Sequence, residues 1–323
     1  MSLKKVAACV KKHKNFLITV HTNPEGDALG AELAFYRLLK KLGKNAIMIN
    51  EDEATIEYSF LPDIDQIRHP KKYLREKEFD CFVVLDCSDL ERTGDIYRIN
   101  KNKKLTLNID HHISNINFAD INWVDPNASS TSEMVYKLYK QMRIPIDRDT
   151  AVCLYTGIFT DTGSFRYSNT SSFTHKVASE LLKYNLDVPM LYKSIYENIP
   201  YIDMKLLLKI LPGMKRASAG RLVWFQVKHN LLKNKKLSFD LTEHVLSFGR
   251  SIKGAEVVAM FKENLGVKDE VRVNLRSNGA VDVNKIAAHF GGGGHRTASG
   301  ATAHGKIDTI RRKVLAKIKE SLK

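Results

Sequence analysis

Two rhythms of apolar and polar positions alternate along the first half of the chain. "FLITVH" at 16–21 is a short unbroken apolar run, the mark of a buried strand. "ALGAELAFYRLLKKL" at 28–42 repeats its apolar positions every three to four residues, as a helix does, and Gly43 ends it. "NAIMIN" (45–50), "FDCFVVLDCSD" (79–89) and "KKLTLNIDHH" (103–112) supply three more strands, the middle one ending near Asp86. "SSTSEMVYKLYKQM" (129–142) opens with the Ser130-to-Glu133 spacing of a capping box and continues as an amphipathic helix. A further helix is predicted at 148–160, ahead of "TDTGSFRYS". Strands alternating with helices predict a parallel sheet covered on both faces.

From 185 to 215 the pattern becomes helical, with breaks at Pro189, Pro200 and Pro212-Gly213. "GRLVWFQV" then starts a new strand-rich segment. "GAEVVAMFKEN" and "EVRVNLRSNG" read as a hairpin-like pair, followed by a helix "NKIAAHF", the loop "GGGGHRTASG" and a basic C-terminal helix. The predicted fold class is α/β: a Rossmann-like parallel-sheet domain over 1–188, a helical connector over 189–218, and a smaller α/β C-terminal domain over 219–323. A length of 323 residues suits two such domains.

Composition narrows the class. Hydrophobic content of 43% with 27% charged residues is that of a globular chain rather than a disordered one. No apolar run approaches the roughly 18 residues of a membrane span, and the N-terminus carries no signal-cleavage pattern, so a cytoplasmic location without a membrane partner is expected. The four cysteines (Cys9, Cys81, Cys87, Cys153) form no CxxC pair, and Cys81 and Cys153 lie in apolar runs, which predicts buried free thiols. The formal net charge is +15, and residues 221–323 hold 20 Lys+Arg against 9 Asp+Glu. A basic half of this kind attracts a phosphate-rich ligand.

The candidate chemistry lies at the strand ends. "HTNPEGD" follows the first strand and puts His21, Glu25 and Asp27 in one crossover loop. Asp86 follows "CFVVL", the run Asp110-His111-His112 follows "LTLNI", and Asp161 stands in "TDTG" just past a helix. In an open parallel sheet the loops at the carboxyl ends of the strands share one edge, so these residues converge on one crevice. Any single Asp after a strand is as readily a helix cap; clusters at every such loop are not explained that way. Carboxylates crowded in one crevice repel unless cations neutralise them. Oxygen donors with imidazoles and no thiolate suit manganese or magnesium, with cobalt or iron as alternatives, and the number of donors suits two metals about 3.5–4 Å apart. In the second half, "GGGGH" is a loop whose backbone amides suit an anion, with Arg276 and Ser277 as partners for phosphate.

"HTNPEGDALGA", "VVLDCSD", "NIDHH", "TDTGSF" and "GGGGHRTASG" together resemble, in order, the motifs of the DHH phosphoesterases and of the C-terminal domain associated with them. The resemblance runs from His21 to Gly300. It implies that His21 and Glu25 bind one metal, that Asp27, His111 and Asp161 bind the other, and that Asp86 bridges the two. It implies that His112 faces the phosphate as general acid or electrostatic stabiliser and that Asp110 orients the histidines. Arg276, Ser277, Gly293, Gly294 and His295 would hold a terminal phosphate or nucleotide, with Arg166 a further contact. One departure stands out: Glu25 occupies a position where the family usually has aspartate.

The activity so implied is hydrolysis of short oligoribonucleotides to mononucleotides and removal of the 3′-phosphate of adenosine 3′,5′-bisphosphate. It would depend on two divalent ions, manganese first and magnesium or cobalt as alternatives. The partners are then short RNA oligonucleotides and nucleotide bisphosphates, with a homodimer as the assembly allowed for. Within the same chemistry the rivals are a cyclic or linear dinucleotide phosphodiesterase, a single-strand exonuclease, which the size disfavours, and a manganese-dependent pyrophosphatase, which the glycine-rich signature disfavours. Of a different class is a non-catalytic nucleotide- or RNA-binding protein; only Glu25 favours it.

Overall fold

In the computed structural model, which describes residues 3–70, 78–232, 241–264 and 266–322, the chain divides at Asn198/Ile199 into two units. The first contains α1 (Leu3–Lys12), β1 (Asn15–Thr19), α2 (Gly26–Lys41), β2 (Asn45–Ile49), β3 (Ile67–Arg68), β4 (Cys81–Leu85), β5 (Leu105–Asp110), β6 (Ile121–Val124), α3 (Thr131–Met142), α4 (Arg148–Asp161), α5 (Ser172–Leu182) and α6 (Val188–Tyr196). Its strands lie in the order β3-β2-β1-β4-β5-β6, every neighbouring pair parallel. The chain winds outward from β1 through β2 and β3, then returns to β4 on the other side of β1. That reversal makes a crevice at the carboxyl ends of β1 and β4, where open sheets of this order bind ligands.

The strands are short apolar runs because both faces are buried. Phe16 and Ile18 of β1 and Cys81, Val83 and Leu85 of β4 face a large core that also takes the buried sides of α1 to α6. Leu17, Phe82 and Val84 point to the opposite face, into a small cluster with Ile96. The expected cover on both faces is therefore uneven. Among the described residues the second face is roofed by the 3-10 segment Glu91–Ile99, which Gly94 breaks at φ 65° before it lengthens. Helix α2 is the most deeply set, with Leu29, Leu33, Leu38 and Leu39 fully buried, each worth about 2 kcal/mol of apolar transfer. It packs closely on α4 because a Cβ at Gly30 would come within 2.4 Å of the Cys153 carbonyl oxygen.

The second unit contains α7 (Tyr201–Ile210), β7 (Lys215–Ala217), β8 (Leu222–Val227), α8 (His229–Leu232), α9 (Thr242–Arg250), β9 (Val257–Glu263), β10 (Glu270–Ser277), α10 (Val283–Ala288), β11 (Gly293–Gly294), β12 (Ala298–His304) and α11 (Ile307–Ser321). Its sheet runs β11-β12-β10-β9-β8-β7 and is antiparallel except for β8 beside β9. Val271, Val273 and Leu275 of β10 face the core under α10 and α11, while Val223, Phe225 and Val227 of β8 face α7 and α9. The hairpin read from "GAEVVAMFKEN" and "EVRVNLRSNG" is β9 and β10, in register Val273 to Phe261. The stretch 189–218, read as a connector, divides between the units. Leu191 and Ile195 of α6 join the first core, and Leu206, Leu207 and Ile210 of α7 join the second. Strands β3 and β6 and helix α1 carry weak or mixed patterns and are supplied by the structure alone.

One buried acid sits away from the crevice chemistry. Glu32 of α2 is wholly buried; its Oε2 accepts from Asn50 Nδ2 at 2.7 Å, and its Oε1 has no partner among the described residues. Burial pushes its carboxyl up to about 8, against a partial opposing pull from Asn50. The unfolded carboxyl ionises near 4.5 while the folded one stays protonated, so this group costs stability increasingly as pH rises from about 4.5 to 8. Glu32→Gln is expected to raise Tm at pH 8–9 by the equivalent of roughly 3–4 kcal/mol, the gain shrinking toward pH 5. Thermal melts of both proteins across that range check it; a gain independent of pH contradicts it.

Candidate active site

The crevice fills with titratable groups because β1, β4 and β5 each end within two residues of one. His21 follows β1; its Nδ1 lies 2.8 Å from the Thr22 carbonyl oxygen and its Nε2 3.5 Å from Asp86 Oδ2. Its Nδ1 is thereby engaged by the backbone, and its Nε2 is the nitrogen turned to the crevice. Asp86 directly follows β4 and adopts a left-handed backbone at φ 56°, a conformation that Asp tolerates and that turns its carboxylate inward. Its Oδ1 accepts from Thr131 Oγ1 at 2.9 Å.

Asp27 lies in the first turn of α2 and reaches across to the start of α3. Its two oxygens accept from the backbone N–H groups of Thr131 (2.6 Å) and Ser132 (2.8 Å). Helix N-termini leave such donors unpaired, and the helix dipole favours the negative charge. Asp161 is less fortunate: it ends α4, where the dipole is of the wrong sign for a carboxylate, and its Oδ2 receives Asn169 Nδ2 at 3.2 Å.

His111 stands at the centre. Its Nε2 is 3.7 Å from Asp27 Oδ2, 3.6 Å from Asp86 Oδ1 and 3.6 Å from Asp161 Oδ2, while its Nδ1 lies 3.2 Å from the Ala128 carbonyl oxygen. Its neighbour His112 has a different partner: Nδ1 is 2.7 Å from Asp110 Oδ1, and Asp110 Oδ2 accepts from Asn115 Nδ2 at 2.6 Å. Asp110 is thus bonded to His112, and a backbone carbonyl lies against Nδ1 of His111. All of these side chains except Asp161, whose carboxyl is 18% exposed, are buried.

Electrostatics show what the set requires. Burial, then the charge of Asp86, pushes the Asp27 carboxyl up to about 6, and burial drives Asp161 well above the carboxylate range. For Asp86 burial also pushes upward, but His21, His112 and His111 outweigh it and hold the carboxyl well below its usual value. His111 is pulled up to about 9 by Asp161, Asp86 and Asp27 against its burial. Three carboxylates thus crowd one imidazole, a charge that a divalent cation would neutralise more fully. Donor atoms of Asp27, Asp86 and His111 lie within 4.8 Å of one another, as do those of Asp86, Asp110 and His112. Hard oxygens with two or three imidazoles fit manganese or magnesium, so the residues present fit the expected metals.

Glu25 stands apart from this inner group. It is the exposed N-cap residue of α2, makes no side-chain cap bond, and lies close enough to raise Asp161 further. Arg166 is exposed, donating from Nε to the Gly163 carbonyl at 2.7 Å. It follows three consecutive left-handed residues, Gly163, Ser164 and Phe165, that turn the chain sharply after Asp161. A bulky Phe at φ 64° is strained, and strain of this kind gathers at sites.

The second unit holds the remaining candidates. Arg276, near the end of β10, forms an ion pair with Glu243, and its Nη1 donates to the Leu275 carbonyl oxygen at 3.0 Å. Ser277 is buried, its Oγ accepting from Gly279 N at 3.0 Å. Gly293 and Gly294 form β11, paired with Gly300 and Ser299 of β12. A Cβ on Gly294 would lie 2.6 Å from the Ala298 carbonyl oxygen, and its φ is 137°, so strand packing already demands glycine there. His295 accepts from Ser299 Oγ at its carbonyl oxygen (2.6 Å).

Several contributors escape a reading of motifs. Thr131 holds both Asp86 and Asp27, Asn115 holds Asp110, and Asn169 holds Asp161. The "SSTSE" stretch signalled a helix start, and only half of a capping box forms. Ser130 Oγ accepts from Glu133 N at 3.0 Å, but the Glu133 carboxylate accepts from Ser129 Oγ and Thr174 Oγ1 instead. Gly157 of α4 matters too, since a Cβ there would lie 1.9 Å from Ser132 Oγ and 2.8 Å from Asp27 Oδ1.

Comparison with known proteins gives the same picture. Residues 15–158 match the model of the DHH family N-terminal domain, and residues 230–320 match the DHHA1 domain. The chain is 29% identical over 306 residues to the "bifunctional oligoribonuclease and PAP phosphatase NrnA" of Thermus thermophilus, covering 94% of this chain and 89% of that one. It is 30% identical over 300 residues to the Bacillus subtilis protein of the same name, covering 91% of each. An exopolyphosphatase-related protein from Bacteroides fragilis superposes with a TM-score of 0.83 at 25% identity, over 99% of this chain and 95% of that one.

The Asp110–His112 hydrogen bond yields a specific expectation. Asp110→Asn keeps the shape but removes the charge that fixes the imidazole, so kcat should fall about 10- to 100-fold. Metal content, read by elemental analysis of the same preparation, should stay unchanged. A parallel loss of metal contradicts the assigned role.

Proposed function

The chain belongs to the DHH family of phosphoesterases, and we propose that it hydrolyses short oligoribonucleotides to mononucleotides and removes the 3′-phosphate of adenosine 3′,5′-bisphosphate. The observation that carries this reading is the geometry around His111. Three carboxylates, from the start of α2, the loop after β4 and the end of α4, meet one imidazole, beside a second histidine locked by its own carboxylate. Relatives matched over nearly their full length carry names with both activities, which supports the same substrates here.

His21, Asp27, Asp86, His111 and Asp161 would hold two divalent cations, manganese in the native enzyme, with Glu25 completing the set from its longer side chain. Bound there, the cations supply charge stabilisation on the phosphoryl oxygens and activation of water. Thr131 and the N-terminus of α3 keep Asp27 and Asp86 aimed into the crevice. His112 faces the scissile phosphate; with Nδ1 bonded to Asp110, its Nε2 donates a proton to the departing oxygen or stabilises charge on the phosphate. Asp110 bears no part in the proton's route and sets the ring's orientation.

Arg276, Ser277, Gly293, Gly294 and His295 take the terminal phosphate or nucleotide, and Arg166 makes a further contact. Arg276 exchanges Glu243 for the phosphate when substrate arrives, since guanidinium binds phosphate bidentately. Recognition of one terminal group limits the substrate to a few nucleotides, unlike a groove that tracks a strand. No helix among the described residues is long and apolar enough to cross a membrane; a cytoplasmic location belongs to the same proposal, with a homodimer as the assembly it allows for.

A manganese-supplemented assay on a 5′-labelled series from dinucleotide to about 24-mer, beside adenosine 3′,5′-bisphosphate, tests the reading. Rates should peak at two to four nucleotides, and the bisphosphate should release phosphate. Activity that rises with length points to a strand-tracking exonuclease, and no activity on any substrate with manganese bound points to a binding protein. His112→Ala should lower kcat at least a hundredfold while metal affinity holds. Arg276→Ala should act mainly on KM, raising it about tenfold or more; an effect confined to kcat would contradict its role.

A further inference from the structure

A second constellation of donors lies at the opposite edge of the first sheet. Cys9 of α1 and Cys81, the first residue of β4, bring their Sγ atoms to 3.9 Å. His13 follows Cys9 by one helical turn, and its Nδ1 lies 3.5 Å from Cys9 Sγ. One ligand atom from each of the three residues falls within a 4.8 Å span. Tetrahedral coordination with metal–sulfur bonds near 2.3 Å and metal–nitrogen bonds near 2.05 Å separates two sulfurs by about 3.8 Å and a sulfur from a nitrogen by about 3.6 Å. The two measured separations match those edges closely.

We propose that Cys9, His13 and Cys81 form a site for a thiophilic divalent cation of the zinc class, independent of the catalytic centre. The catalytic groups follow the carboxyl end of β4, while Cys81 begins that strand, five residues and about 16 Å from Asp86. Soft thiolates select a different metal from the hard carboxylates there. His13 also has its Nδ1 2.9 Å from the Cys9 carbonyl oxygen. Turning that nitrogen to a cation orphans nothing, because the same carbonyl keeps the backbone N–H of His13 at 3.1 Å. Asp80, the nearest carboxylate in sequence, is already spent on the N–H groups of Lys14 and Asn15.

Binding releases the two thiol protons to solvent, so affinity rises with pH. Two thiolates balance the charge of the cation, and the half-buried His13 side leaves the fourth position to water. The bound ion would tie α1 to β4, joining the first helix to the middle of the sheet.

Cobalt(II) titration of the full-length protein, stripped with chelator and held in a phosphine reductant, tests this without reference to catalysis. The catalytic donors are carboxylates and imidazoles, so a thiolate-to-cobalt charge-transfer absorption in the near ultraviolet reports this site alone. Its final amplitude should correspond to one thiolate site per chain, whatever cobalt the catalytic donors take up; it should bleach when zinc displaces cobalt and persist in Cys153→Ser. Cys9→Ser should abolish it, and His13→Gln should weaken cobalt binding at least tenfold. The half-exposed His13 variant decides the matter if the buried serine variant fails to fold. No such absorption in the wild type overturns the proposal, as does an absorption that survives Cys9→Ser or binding unaltered by His13→Gln.

Discussion

The first unit is organised around a repulsion. Asp27, Asp86 and Asp161 come from three distant parts of the chain and meet at one buried imidazole, where each carboxylate makes the others harder to ionise. Nothing in apolar packing favours that meeting. It persists because specific groups offset the charge: the first amides of α3 for Asp27, Thr131 and His21 for Asp86, and His111 for all three. A helix N-terminus is worth up to about 2 kcal/mol to an adjacent anion when partly buried. That is less than the cost of burying several carboxylates, and cations are the natural remainder.

The scaffold is shaped to allow this crowding. Helices α2 and α4 approach closely because Gly30 and Gly157 carry no Cβ, and at Gly157 the space saved is occupied by Ser132 and Asp27 themselves. The backbone is left-handed at Asp86 and again over 163–165, immediately after Asp161. Strain is therefore placed next to the groups whose aim matters most, and the surrounding core, with α2 buried along most of its length, holds it. The two histidines of the Asp-His-His run are distinguished by their second ring nitrogens. One meets a backbone carbonyl, the other a carboxylate, so the two rings are held by groups of different charge.

The second unit shows how one residue type answers two demands. Its glycine run suits an anion, yet Gly294 is already required by the close approach of β12. Arg276 is held by Glu243, so its guanidinium is kept extended and oriented rather than loose. Breaking such a pair costs little, because the carboxylate partner is 42% exposed and returns to water.

The sequence alone determined the strands β1, β2, β4 and β5, the helices α2, α3 and α4, and the catalytic candidates at their ends. Those elements are long or strongly periodic, and a parallel sheet obliges its loops to share an edge, so His21, Asp27, Asp86, His111 and Asp161 could be gathered before any distance was known. The order of the motifs carried the family. Only the tertiary structure decided what depends on contacts across the chain. Thr131, Asn115 and Asn169 hold the carboxylates through bonds that span up to 104 residues, and no local pattern encodes them. The division of 189–218 between two cores, the short strands β3 and β6, and the exposed stance of Glu25 likewise follow from packing. Cys9, His13 and Cys81 read separately as unremarkable residues. It is the pairing of α1 against the start of β4 that sets their donor atoms on the edges of a tetrahedron.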